Sequence, residues 1–318
     1  MSEMTKIILA AIIPMIIILI IGKPFISFLG RLKAGQSIRE EGPKSHMNKA
    51  GTPVMGGIMT LGVAMICMLL LGEYNINEIS IIMISTIGFG FVGFCDDYIK
   101  IVKKRNLGLK AKQKMLGQII VAVLLVLLAG NVSNIEWLIP FSNGTVELGV
   151  LGIPILLFVI IGTVNSTNLT DGLDGLLSSV SLIVFLNYAL LAYRLDLFAC
   201  VVFSLIMTSV SIGFLFFNWH PAKVFMGDVG SLGIGGAVIA LAIITKSIFF
   251  LPIIGGIFFI ETVSVILQVI HFKRTGERIF KMAPIHHHYE MCGWREKKVV
   301  YVFTGITVIL AIISQIAL

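Results

Sequence analysis

Ten apolar runs, each close to the length that crosses a lipid bilayer, constrain this chain more than any other feature. They cover roughly 5–29, 54–72, 79–95, 115–130, 148–164, 175–193, 197–217, 232–247, 249–270 and 299–317. A hydrocarbon core needs about 20 apolar residues in a helix, because a backbone in lipid must satisfy its own hydrogen bonds. The expectation is an all-α polytopic membrane protein: one domain, 1–318, of about ten transmembrane helices. Composition agrees, at 57% hydrophobic and 13% charged, where soluble domains average about 25% charged. The first run reads as a retained span, since it is too long for a signal peptide and no cleavage-like site follows it. One break from helix is predicted at 131–147, where Asn143-Gly144 between apolar stretches signals a short β-hairpin.

Charge orients the runs. One set of alternate loops (23–53, 96–114, 165–174, 218–231 and 271–298) holds 21 of the 24 Lys and Arg residues, and the opposite side holds Lys6, Arg194 and Lys246. Basic loops stay in the cytoplasm, so both termini are expected on the outer face, and the hairpin with them. The four cysteines, 67, 95, 200 and 292, form no C-x-x-C pair, and neither a disulfide framework nor a thiolate metal site is read from them.

The densest polarity lies between two apolar runs, in Asn165-Ser-Thr-Asn168-Leu-Thr-Asp171-Gly-Leu-Asp174-Gly175. A lipid-facing surface does not tolerate it, and a plain turn does not need it. It reads as a loop forming the floor of a polar site. Asp96-Asp97 end another run. Two adjacent acids there oppose the helix dipole and repel one another, which calls for a metal, a proton or a phosphate partner. Lys100, four residues on, offsets part of this if the helix continues. Gly108-Leu-Lys110-Ala-Lys112-Gln-Lys114 supplies further cations. The Ser45–Gly57 stretch has a bland reading: basic residues touching anionic lipid, and Gly56-Gly57 packing helices closely. Asp228, in Phe225-Met-Gly227-Asp228-Val-Gly230, is either a helix cap or a carboxylate whose flanking glycines admit a ligand. His286-His287-His288 invites zinc. Adjacent helical residues share no face, however, and structural zinc wants four spaced ligands. Acid–base work or phosphate binding fits as well.

All six histidines (46, 220, 271, 286, 287 and 288) and five of the six aspartates fall on the basic side, with Asp196 the exception. That coincidence across five loops indicates one composite site. Carboxylates suit Mg²⁺, which takes one or two of them plus substrate phosphates, and nearby Lys, Arg and His suit developing phosphate charge. The reading is Mg²⁺-dependent phosphoryl or phosphosugar transfer from a soluble nucleotide compound to a lipid. A cation transporter would hold its acids near the bilayer midplane, and a lipid-binding scaffold would leave the aspartates unexplained.

At these residues the chain resembles the polyprenyl-phosphate N-acetylhexosamine-1-phosphate transferase superfamily. The Asp96-Asp97, Asn165–Asp174 and Phe225–Asp228 motifs carry the likeness, which spans almost the whole chain. Pro284-Ile-His286-His287-His288-Tyr-Glu290 is similar to the branch that handles phospho-N-acetylmuramoyl-pentapeptide in peptidoglycan synthesis. The resemblance implies UDP-N-acetylmuramoyl-pentapeptide as donor, undecaprenyl phosphate as membrane-lipid acceptor, and lipid I and UMP as products. It implies a homodimer, and nothing in it calls for nucleic acid. The alternative within the superfamily transfers N-acetylglucosamine-1-phosphate to the same lipid.

Carried over, Asp228 is the Mg²⁺ ligand. Asp96 and Asp97 lie near the lipid phosphate, one acting as base or orienting it, and His287 stands beside them. Asn168, Asp171, Gly172, Leu173, Asn218 and Phe225 line a uridine pocket, with Phe225 stacking on the base. Lys49 and Lys114 face nucleotide or phosphate, with Lys112 a competitor for Lys114. Asn165, Asp174, His286 and His288 complete the substrate-binding set. One departure is Val54, where many members carry Thr.

Overall fold

The computed structural model describes residues 1–32, 49, 51–72, 74–103, 108–130, 132–142 and 144–318. His46, Lys104, Arg105, Asn131, Asn143 and most of the 33–50 loop lie outside the described residues. The elements in chain order are α1 (Glu3–Arg31), α2 (Gly57–Leu71), α3 (Ile76–Val102), α4 (Ala111–Leu128), β1 (Glu136–Leu138), β2 (Thr145–Glu147) and α5 (Gly152–Thr170). There follow α6 (Leu176–Arg194), α7 (Phe198–Asn218), α8 (Gly227–Ile244), the single turn α9 (Leu251–Ile254), α10 (Gly256–Thr275), α11 (Ile285–Met291) and α12 (Glu296–Ile316).

Among the described residues, nine helices are long and apolar enough to cross a membrane. The second run, 54–72, forms α2, a shorter apolar helix of 15 residues, or about 22 Å at 1.5 Å per residue. That is short of a hydrocarbon core of about 30 Å. α2 packs among α1, α7 and α8 and leaves Ile66, Leu69 and Leu70 exposed. The predicted hairpin is present: β1 pairs antiparallel with β2, Trp137 opposite Val146.

The helices form an inner and an outer set. α8, α7 and α6 bury 83%, 78% and 72% of their most apolar stretch inside the protein. For α1 and α4 the share is 22%, and α5, α10 and α12 also leave most of theirs uncovered. Their exposed faces carry Ile, Leu, Phe and Val, the surface expected against lipid chains. Small residues let the inner helices approach: a Cβ on Gly57 would fall 2.2 Å from the Cα of Gly230, so α2 and α8 touch backbone to backbone. Polar side chains add hydrogen bonds between helices, as where Asn187 of α6 donates to Ser314 of α12 at 2.6 Å.

Four expectations change. α3 does not stop at residue 95 but carries Asp96 and Asp97 on its last two turns and ends at Val102. A capping box at its start, Asn75 with Glu78, sets the opposite end. α5 runs to Thr170, so Asn165 and Asn168 are helical rather than in a loop, and only 171–175 turns. The ninth run is broken by a 3₁₀ turn and Gly255 into α9 and α10. The last basic loop contains a two-turn helix, α11.

Candidate active site

Two helix ends and two helix starts meet at the polar cluster. α3 brings Asp96, Asp97 and Lys100; α4 brings Lys114 from its first turn; α5 brings Asn168 from its last; α8 brings Asp228 from its first. Asp96 and Asp97 are almost fully buried. The Lys100 ammonium lies 2.6 Å from Asp96, 3.3 Å from Asp97 and 3.1 Å from Asp228. Lys114 lies 2.8 Å from Asp228 and donates to the Asn168 carbonyl at 3.3 Å. The Asn168 amide donates to Asp228 at 2.9 Å and to Ser231 at 2.8 Å. Backbone donors complete the set: Leu109 N–H to Asp96 at 2.9 Å and Val229 N–H to Asp97 at 3.1 Å. Of the two competing lysines, Lys114 enters the cluster and Lys112 is exposed.

Gly227 makes this approach possible. Its φ is +77°, and a Cβ there would lie 2.6 Å from an Asp97 oxygen and 2.9 Å from Val54. Only glycine takes that backbone cheaply. Val54, the departure from the family pattern, therefore packs directly under this turn. A short backbone ladder fixes residues 53–57 to it: Phe225 N–H donates to Pro53 O, Gly56 N–H to Phe225 O and Gly57 N–H to Met226 O, at 2.8–2.9 Å.

Asp96, Asp97 and Asp228 each place a carboxylate oxygen within 4.8 Å of the others. An all-oxygen donor set with excess negative charge suits a hard divalent cation. Asp171 caps the end of α5 beside this set. Burial, then the charges of Asp228 and Asp97, hold its carboxyl well above the usual carboxylate range, with the Gly227 N–H acting the other way.

A second cluster stands at the next turn. Asp174 is buried and receives Lys49 at 2.7 Å, His220 Nδ1 at 3.0 Å and the Ala222 N–H at 3.1 Å. Glu296, at the start of α12, receives Lys49 and the Asp174 N–H, both at 2.6 Å, and lies 3.1 Å from His220.

The remaining predicted residues take varied places. Asn165 exchanges hydrogen bonds with Gln118. Asn218 accepts from Gly175 N–H and donates to Val224 O, bracing the turn from beneath. Leu173 is buried and Phe225 half-buried. The three histidines of α11 point three ways. His286 is buried with Nδ1 2.9 Å from Glu261, and its Nε2 lies 2.2 Å from where a Gly172 Cβ would stand. His287 pairs with Glu290 at 2.8 Å. His288 accepts from Lys281 N–H at 3.1 Å. They do not converge as zinc ligands, as their adjacency on a helix predicts.

Sequence reasoning left out Gln118, Glu261 and Glu296 as site-supporting residues and underweighted Lys100 and His220. Glu261 carried a usable signal: a carboxylate inside an apolar run is costly and needs a partner. Glu296 carried little, because a lone acid at a span end is ordinary.

The sequence pattern of glycosyl transferase family 4 matches residues 79–246. The stretch includes both aspartate motifs of the first cluster. A phospho-N-acetylmuramoyl-pentapeptide-transferase of Thermoanaerobacter sp. (strain X514) is 46% identical over 309 residues, 97% of this chain and 98% of the relative. Proteins of the same name from Bacillus thuringiensis (strain Al Hakam) and Bacillus cytotoxicus (strain DSM 22905 / CIP 110041 / 391-98 / NVH 391-98) are 48% and 49% identical, each over 91% of both chains. Together with the nine membrane-length helices, this makes the chain a multi-pass membrane protein.

Proposed function

The chain belongs to glycosyl transferase family 4 and within it to the phospho-N-acetylmuramoyl-pentapeptide-transferases, and from that premise we propose that it transfers phospho-N-acetylmuramoyl-pentapeptide from its UDP-linked donor to undecaprenyl phosphate. The products are lipid I and UMP. An oxygen of the lipid phosphate forms a bond to the sugar-bearing phosphorus of the donor, and the bond from that phosphorus to UMP breaks. The relatives' names favour this over the N-acetylglucosamine alternative.

One observation carries the chemistry: three carboxylates and two lysines are drawn to one point at the ends of four helices. Asp228, with Asp96 and Asp97 beside it, would hold Mg²⁺. When bound, that ion supplies positive charge to the phosphates. Lys100 and Lys114 are placed to lower the cost of charge on the transferring phosphoryl group. Asp96 or Asp97 orients the lipid phosphate or takes its proton. The half-buried Phe225 is free to stack on uracil, and Lys49, Gly172, Leu173 and Asp174 form the nucleotide end.

We place this site on the cytoplasmic face and both termini outside, because 21 of the 24 Lys and Arg residues lie in the loops on the site's side. The single-domain reading is supported by helices from both chain ends packing on the inner set, α1 on α7 and α12 on α6. The homodimer rests on the family resemblance.

The test is UMP release by purified protein with undecaprenyl phosphate and Mg²⁺. Release is expected with UDP-N-acetylmuramoyl-pentapeptide and not with UDP-N-acetylglucosamine. Release with the second donor alone would reverse the assignment of the histidine segment.

A further inference from the structure

Glu296 is absent from every motif that pointed to the site, yet it joins three segments around the nucleotide end. Its Oε1 accepts from the Lys49 ammonium and from the Asp174 N–H, both at 2.6 Å. Its Oε2 lies 3.1 Å from His220 Nδ1. The side chain is 9% exposed, and that of Asp174 2%. The contacts span 247 residues to Lys49 and 122 to Asp174, so local sequence does not enforce them.

The charges explain the arrangement. Asp174 alone would hold Lys49 by one carboxylate oxygen and draw it down onto the turn. With Glu296 opposite, the ammonium is shared between two acids and its position is set by both. The Asp174 N–H, in the turn that follows the end of α5, gains a charged acceptor, which shapes the 171–175 turn itself. Glu296 lies in the first turn of α12, where the helix dipole favours a carboxylate, so its own ionised form is supported from behind.

We propose that Glu296 is a positioning residue for the UDP-linked donor: acting through Lys49 and the Asp174 turn, it sets the geometry that receives the nucleotide. The proposal rests on the transferase reading above. It assigns Glu296 no contact with the reacting phosphates, which belong to the aspartate cluster.

Glu296→Gln keeps the shape and an acceptor oxygen and removes the charge. The expected result is a rise of roughly ten-fold in KM for the UDP-linked donor, the size of one lost charge-assisted hydrogen bond. kcat and the KM for undecaprenyl phosphate should change less than about two-fold by the same argument. UMP binding to the purified protein should weaken in parallel. Because Glu296 is proposed to act through Lys49, adding Glu296→Gln to Lys49→Met should weaken donor binding far less than it does in the wild-type background. Unchanged donor KM and UMP affinity would overturn the proposal, as would full additivity of the two substitutions or a loss confined to kcat. If Glu296→Gln does not survive purification, Glu296→Asp, which keeps the charge on a shorter arm, is measured the same way with the same outcomes. Wild-type protein that releases no UMP would instead overturn the transferase reading, and UMP binding by the variants would still decide the role of Glu296.

Discussion

At Lys100 one ammonium faces three buried or half-buried carboxylates, at 2.6, 3.3 and 3.1 Å. Removing it leaves Lys114, 2.8 Å from Asp228, as the ammonium still paired with the cluster among the described residues. Uncompensated buried charge costs about 3–5 kcal/mol. Lys100→Met should therefore lower the melting temperature in EDTA, and Mg²⁺ should restore more of it than it adds to wild type. An equal Mg²⁺ response in both proteins would separate the carboxylate cluster from the metal. Asp228 is the residue for which activity is the readout. Asp228→Ala removes the acceptor shared by Lys100, Lys114 and Asn168, and UMP release should fall to background while the protein remains folded. Residue identity at these positions was legible because a carboxylate in an apolar chain is costly unless it is paired or takes part in chemistry. The pairing of Lys100 with Asp96 was legible too, from its i, i+4 spacing; the partners of Asp228 were not, since Lys100, Lys114 and Asn168 reach it across 128, 114 and 60 residues.

Between elements, polar side chains act as pins. Asn187 on α6 donates to Ser314 at 2.6 Å, and its own oxygens accept from Gln315, both on α12. This contact pins α12 to α6 at the opposite end of the helix from Glu296. Interhelical hydrogen bonds in membrane proteins average about 0.6 kcal/mol and reach about 1.7 kcal/mol. Asn187→Leu should lower stability by an amount in that range, with UMP affinity unchanged, as measured by thermal unfolding in detergent. A large loss of affinity with unchanged stability would mean that this distant contact also sets the position of Glu296. Helix existence and type followed from apolar run length alone. Helix ends did not: α3 and α5 continue through their polar residues because Lys100, Asn168 and Gln118 satisfy those groups in place.

For the molecule as a whole, orientation is the property that charge alone predicts. Cys292 is exposed, beside α11, while Cys67 and Cys200 are buried. In a Cys95→Ala background, a membrane-impermeant maleimide should label Cys292 in inside-out vesicles and not in intact spheroplasts. The reverse pattern would invert the proposed topology.

The order of apolar runs, the gathering of basic residues in one set of alternate loops and the identity of the acids were legible in sequence alone, because each depends on transfer from water to lipid, residue by residue. The partition into two clusters was decided only by tertiary structure. Asp171 and Asp174 lie three residues apart, yet one faces Asp228 and Asp97 while the other binds Lys49, His220 and the neighbourhood of Glu296. The chain turns through 171–175, and hydrogen bonds and Coulomb attraction act across whatever segments packing brings within about 3 Å. Spacing along the chain holds no record of those distances.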